Sequence, residues 1–141
     1  MLGLGCGARS YTADLHSSTA YAVGARGVRE ILAAWLRRDD AAFDVADYGF
    51  RLDGEEKRRR FVILSLLAAT CGLHRAAYRR RFGSEAFADL PELADLERHR
   101  LAATDGDRLV LTPAGVERSD TIGPWLHSAR VTALMAGAQL R

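Results

Sequence analysis

Cysteine, proline and histidine are all scarce in this chain of 141 residues, which has two cysteines, three prolines and four histidines. Cys6 and Cys71 lie far apart with no metal-type spacing, which argues against a secreted disulfide framework and suits a reducing cytoplasm. His16, His74, His99 and His127 are scattered, none with a second His or Cys at ligand spacing, so no metal ligand is assigned. Long hydrophobic runs are missing too. No window approaches the roughly 18 consecutive apolar residues of a membrane span, and the most apolar run, 61–69, has the length of a core helix. Leu4-Gly5-Cys6 has the form of a lipoprotein cleavage site, but neither a basic n-region nor an apolar h-region precedes it. Charge of one sign is lacking as well: 20 Lys plus Arg stand against 18 Asp plus Glu, a net +2, far from the bias of a chain that coats itself in nucleic acid. Ser10, Ser17 and Ser18 lie near His16, yet no carboxylate is placed to complete a triad. No catalytic residue is assigned.

What is present fits one domain-sized chain with a single core. Its organising stretch is 91–119. Pro91 is placed as a first helical residue, and Leu93, Ala94, Leu96, Leu101 and Ala103 form an apolar stripe at helical spacing. Asp105-Gly106 offers the positive φ of a two-residue turn, with Leu109 and Leu111 alternating on the returning strand of a hairpin over 102–112. Thr112-Pro113 caps and opens another helix. Helix, hairpin, helix is how a winged-helix module ends, so the expected fold is mainly α with a short β-hairpin and a winged-helix-like C-terminal domain.

Upstream, 1–10 is a glycine-dense opening that reads as the exit of a strand, Met1-Leu2, into a loop. Gly3, Gly5 and Gly7 lack the preceding strand and following helix of a dinucleotide fingerprint. A first helix begins at Thr19 or Tyr21, with Val23, Val28, Ile31, Leu32, Trp35 and Leu36 as its stripe, and ends at Arg37-Arg38. An aspartate-rich connection over 39–52 has Phe43, Val45, Tyr48 and Phe50 as its expected anchors, with short strands as an option. Asp53-Gly54-Glu55-Glu56 has the arrangement of a capping box, with Lys57 to Arg60 exposed and Phe61, Ile63, Leu64, Leu66 and Leu67 buried. Gly72 ends this helix. A short helix covers 73–81 with Tyr78 inward, and Gly83-Ser84 stops it and caps the next. Ile122-Gly123-Pro124-Trp125 marks a break before a packed terminal helix over 125–140.

The arginine groups 58–60 and 79–81 suggest a phosphate-binding face beside a wing. Against this, 91–101 carries Glu92, Asp95 and Glu97 among its cations, and carboxylates there repel phosphate. Nucleic acid is therefore an unfavoured partner. Binding to duplex DNA is expected to be weak, strongly salt-dependent and without base readout.

Five blocks occur in order: 3–11 (Gly3-Leu4-Gly5-Cys6-Gly7-Ala8-Arg9-Ser10-Tyr11), Asp53-x-x-Glu56-x-x-Arg59-Arg60, Arg81-Phe82-Gly83, Leu109-x-Leu111-Thr112-Pro113-x-Gly115 and Asp120-x-Ile122-Gly123-Pro124-Trp125. Together they resemble the C-terminal part of radical S-adenosylmethionine enzymes similar to oxygen-independent coproporphyrinogen III oxidase, over essentially the whole chain. The resemblance implies that 1–18 is the exit strand and glycine-rich loop of a partial (β/α) barrel. It also implies that 19–141 is the helical C-terminal domain, substrate-capping and non-catalytic alone. Gly3, Gly5, Ala8 and Ser10 carry over from the family's loop on the S-adenosylmethionine side. The parent enzymes use S-adenosylmethionine and a [4Fe-4S] cluster held by a CxxxCxxC run. This chain has no such run, so it is expected to bind neither alone and to be a C-terminal fragment, a split-gene product or a mis-started reading frame of such an enzyme, cytoplasmic, a split product having a separately encoded barrel as its partner. The alternative is a free-standing winged-helix nucleic-acid binder. Residues 1–10 are expected to have lost their strand neighbours, while 53–135 folds around Phe61, Leu64, Leu67, Leu96, Leu111 and Trp125.

Overall fold

The computed structural model describes residues 1–19, 22, 24–46, 48–68 and 71–137. They form two compact units, Met1–Asp53 with residues from Met135 on, and Gly54–Leu134. The chain is mainly α with short strands in two three-stranded antiparallel sheets. The boundary between units thus falls after Asp53, whereas the sequence divides at 18/19.

In the first unit, β1 (Arg9–Tyr11), β2 (Leu15–Ser18) and β3 (Gly49–Arg51) lie in that order. The strand therefore follows the glycine loop, where the sequence suggested that it precedes it. The reason is local: the Thr12 hydroxyl accepts from the Asp14 and Leu15 N–H groups at 3.3 and 3.0 Å, closing a turn that folds 9–11 back on 15–18. Tyr11 stacks on His16 at 4.4 Å, and His16 meets Phe50 at 5.6 Å, which ties the three strands across one face. Met1 exchanges two hydrogen bonds with Tyr11, of 2.8 and 2.9 Å. Its backbone groups have neighbours after all.

Helix α1 (Ala25–Trp35) starts later than Thr19 or Tyr21, because Gly24 is still extended at φ −81° and ψ 145°; Tyr21 and Val23 lie outside the described residues. None of its residues is buried, and Val28 and Leu32 are exposed. The 39–52 connection holds a 3-10 turn, Asp40–Phe43, whose first N–H groups are capped by Asp39 accepting from Ala42 N–H at 2.9 Å. The strand β3 completes it.

The second unit runs α2 (Gly54–Leu67), β4 (Leu73–His74), α3 (Arg75–Phe82), α4 (Ala86–Asp89), α5 (Leu93–Arg98), β5 (Ala102–Asp105), β6 (Arg108–Leu111), α6 (Pro113–Val116) and α7 (Ser119–Trp125). Its sheet has the order β4-β6-β5. A single core of Val62, Leu66, Leu73, Tyr78, Leu90, Leu93, Leu96, Leu109, Ile122 and Leu126 joins all of its layers. Leu73-His74 is a strand here, contrary to the helix expected from 73. Gly72 explains the register: at φ +62° it brings the chain so close to β6 that a Cβ would stand 2.5 Å from the Leu109 carbonyl oxygen.

Other differences have equally local causes. The helix expected through Ala103 stops at Arg98, because Arg100 adopts φ +57° and turns the chain out. The hairpin turn is Gly106-Asp107, one residue later than expected, with Gly106 at φ +57°. Ser84 donates its hydroxyl to Asp89 and does not cap α4. Pro124 sits inside α7, and the break comes after Trp125. There Ser128 starts α8 (Ala129–Gly137), accepting from Val131 N–H at 3.0 Å and donating to the buried carboxylate of Glu56. The remainder of the expected 125–140 helix, from 138, lies outside the described residues, as does Ala69 of the 61–69 run. Leu64 is 64% exposed and Trp125 45%, and Leu134 and Met135 are also exposed, so these do not form the core. No described helix is long and apolar enough to cross a membrane.

Candidate functional site

The four residues singled out from the glycine-rich stretch line one cleft of the first unit, with a volume of about 160 Å³. One wall is the loop Gly3, Gly5 and Ala8 with Ser10 of β1. Gly3 is needed there, since a Cβ would lie 2.5 Å from the Arg9 carbonyl oxygen, and its N–H donates to the Ser10 hydroxyl at 3.1 Å. The loop is closed by Ala8 N–H to the Gly5 carbonyl at 3.2 Å and by Gly7 N–H to the Thr19 hydroxyl at 2.6 Å. Gly5 and Gly7 have φ of +90° and +78°, backbone that L side chains rarely take.

Ser17, the cross-strand partner of Ser10, stands beside it on the same face of the sheet, and Ser18 and Thr19 continue the lining. The opposite wall is aromatic and cationic. Trp35 and Phe43 meet edge to face at 4.8 Å, and the Arg38 guanidinium lies 5.2 Å from the Phe43 ring centre while donating to the Ala42 carbonyl at 3.0 Å. Trp35 was read only as part of an apolar stripe and Arg38 as a helix end. Only the 3-10 turn after α1 brings Phe43 and Arg38 together, and no sequence signal announces that turn except Asp39 as its cap.

Among the described residues no carboxylate, histidine or cysteine lines this cleft. It offers glycine backbone, hydroxyls, two rings and a guanidinium, which recognise a polar planar or anionic ligand. Among the described residues no group of His, Cys, Asp and Glu could hold a metal ion.

The arginine groups of the second unit are committed mostly to structure. Lys57, Arg58, Arg59 and Arg60 are half-buried, where the sequence suggested exposed first turns. Arg59 bonds Glu55 and Glu92, both at 2.7 Å, and the Leu126 carbonyl at 3.0 Å. Burial works against its charge, but the two carboxylates outweigh it and raise its pKa. Arg58 pairs with Asp89 at 3.1 Å. Asp89 also accepts from the Ser84 hydroxyl and from Tyr78 Oη at 2.8 Å. The Ser84 bond above all holds the Asp89 carboxyl below its ordinary range, and burial, with Asp89 as partner, raises the Tyr78 phenol.

At the hairpin tip Asp107 accepts from Ala76 N–H at 2.7 Å and pairs with His74 Nδ1 at 2.9 Å and Arg79 at 3.4 Å. The backbone N–H bond first, then the surrounding cations, lower its pKa. Arg79 also binds Glu85 at 2.9 Å, whereas Arg80 and Arg81 are exposed and make no ion pair among the described residues.

Comparison with protein-family models, with curated proteins and with solved structures finds no match.

Proposed function

We propose that this chain is a non-catalytic, substrate-capping module of a radical S-adenosylmethionine enzyme of the oxygen-independent coproporphyrinogen III oxidase type, working in the cytoplasm with a barrel that holds the cluster. The observation that carries this reading is the meeting of Gly3, Gly5, Ala8 and Ser10 on one cleft that also holds Trp35 and Arg38. In this reading the glycine backbone allows close approach, the rings take a planar group, and Arg38 opposes a carboxylate. Residues 1–18 are the barrel-derived part. The second unit is winged-helix-like, a reading supported by the sequence of α2, β4, α3, α5 and the β5–β6 hairpin, together with the strand order β4-β6-β5. Two cysteines cannot supply a three-thiolate run, so the radical chemistry belongs to the partner.

The test starts from the neighbouring reading frames: one should carry a CxxxCxxC run, and its product should be co-expressed with this chain. The two should co-elute, and Ser10→Ala and Arg38→Ala should raise KM for the barrel's substrate with kcat little changed. Alone, after anaerobic reconstitution with iron and sulfide, the chain should show no four-iron spectrum. A stoichiometric cluster that cleaves adenosylmethionine on the monomer would overturn the non-catalytic reading, and failure to co-elute would overturn the partnership.

The strand order also favours a nucleic-acid module as a second reading, but the charges disfavour it. The segment that would enter a groove carries Asp95 and Glu97, and the hairpin tip carries Asp105 and Asp107 where a wing needs cations. Duplex binding should be weak and vanish with salt.

A further inference from the structure

A second cleft, in the other unit, has the opposite character to the hydroxyl-lined one. It is a groove of about 450 Å³ along the outer side of α2, and its floor is apolar, formed by Phe61 and Leu64. Leu64 is a large aliphatic side chain left mostly in water, within the apolar second half of α2. The rim is cationic. Lys57 and Arg60 come from α2 and Arg81 from the end of α3, and no carboxylate is among the described residues that line the groove. Arg108 donates to the Cys71 carbonyl at 2.7 Å, which brings a fourth cation to the end where Cys71 sits.

Arg81 lies 5.5 Å from the Phe61 ring centre and 5.6 Å from that of Phe82. A guanidinium stacked in this way uses its face on the rings and presents its edge donors to an anion. The same stacking argues against a nucleic acid. Phe61 is covered by Arg81 on one side and meets Tyr78 and Phe82 edge to face, so it offers no open face for a base to stack on, while the remainder of the ring still lines the groove. The cations are gathered around one pocket and do not track a backbone.

We propose that this groove binds an acidic peptide segment of a partner protein, with one aliphatic side chain seated on Phe61 and Leu64 and flanking carboxylates held by Lys57, Arg60 and Arg81. The proposal is independent of the reading given above for the first unit. The probe is a short fluorescein-labelled peptide with a single leucine flanked by aspartates and glutamates, titrated by anisotropy against the full chain. Binding should weaken with salt. It should fall by roughly tenfold or more in the Lys57→Glu/Arg60→Glu variant, from the loss and reversal of two ion pairs. Leu64→Ser, an exposed position that leaves folding intact, should weaken it as well, and so should replacing the peptide's leucine by serine. In a Cys6→Ser background the peptide should protect Cys71 from a maleimide. The proposal is overturned if the amidated Asn/Gln version of the peptide binds equally well, if Cys71 stays fully reactive at saturation, if neither variant alters affinity, or if duplex DNA displaces the peptide at a lower concentration than unlabelled peptide does.

Discussion

Arg100 is the one described non-glycine residue with positive φ. It sits just past α5, where its N–H bonds the Glu97 carbonyl at 2.9 Å and the Leu101 N–H bonds that of Leu96 at 2.7 Å. This doubly bonded exit usually carries glycine, because a Cβ in the left-handed region costs about 1–2 kcal/mol. Arg100→Gly should therefore raise stability by about 0.5–1 kcal/mol, the gain being reduced by glycine's greater freedom in the unfolded chain. Urea unfolding would check this, and a loss of stability would show that the arginine side chain stabilises the exit by more than its backbone strain. The same residue explains why the end of α5 was illegible: with no glycine at the exit, the apolar spacing ran on through Leu101 to Ala103. At Gly83 the signal was present, and α3 stops there with φ +72°.

Between elements, Asp89 gathers α2, α3 and the start of α4 through Arg58, Tyr78 and Ser84. Its pKa is lowered, chiefly by the Ser84 bond. A depressed carboxyl contributes stability that is present above the unfolded value of about 3.9 and is lost as pH falls through the folded value. Stability should thus drop below about pH 4, with Asp107 adding to the same limb. Asp89→Asn should flatten part of that acid limb and cost about 1–3 kcal/mol at neutral pH, as expected for hydrogen bonds to a charged group. Urea titrations across the range would show it, and an unchanged pH profile in the variant would refute the assignment. None of this network was legible, because its members are a tyrosine, a serine and an arginine with no shared spacing. Strand β4 was equally hidden: two residues cannot display alternation, and only Leu109 and Arg108 opposite them make Leu73-His74 a strand. The hairpin and the Thr112-Pro113 cap were legible because turn and cap chemistry are written locally.

Across the molecule, the large side chains that are fully buried among the described residues all belong to the second unit. In the first, the buried hydrophobic residues among those described are Ala22 and Leu52. Apolar burial is what resists opening, so the two units should differ in local stability. Hydrogen exchange should be slow at Val62, Leu66 and Leu109 and fast across Arg9–Tyr11 and Leu15–Ser18. Equal protection in both would mean that the first unit draws stability from something other than its own core. The candidate cleft was half legible for a related reason. Its glycine and serine wall is continuous in sequence, whereas Trp35, Arg38 and Phe43 reach it only through tertiary folding.

Hairpin tips are ordinarily where a chain tolerates added residues. This one is different, because Asp107 gives both its carbonyl, to Arg75 N–H at 2.9 Å, and its carboxylate, to Ala76 N–H, to the first turn of α3. Lengthening the loop at Gly106 would draw those acceptors away from the first two amides of a helix whose third, Ala77 N–H, is held by His74 Nδ1 at 3.4 Å. The exposed turn is therefore a poor place to graft a tag or a binding loop, and a longer version of it would need a new acceptor for α3 before it could be accommodated.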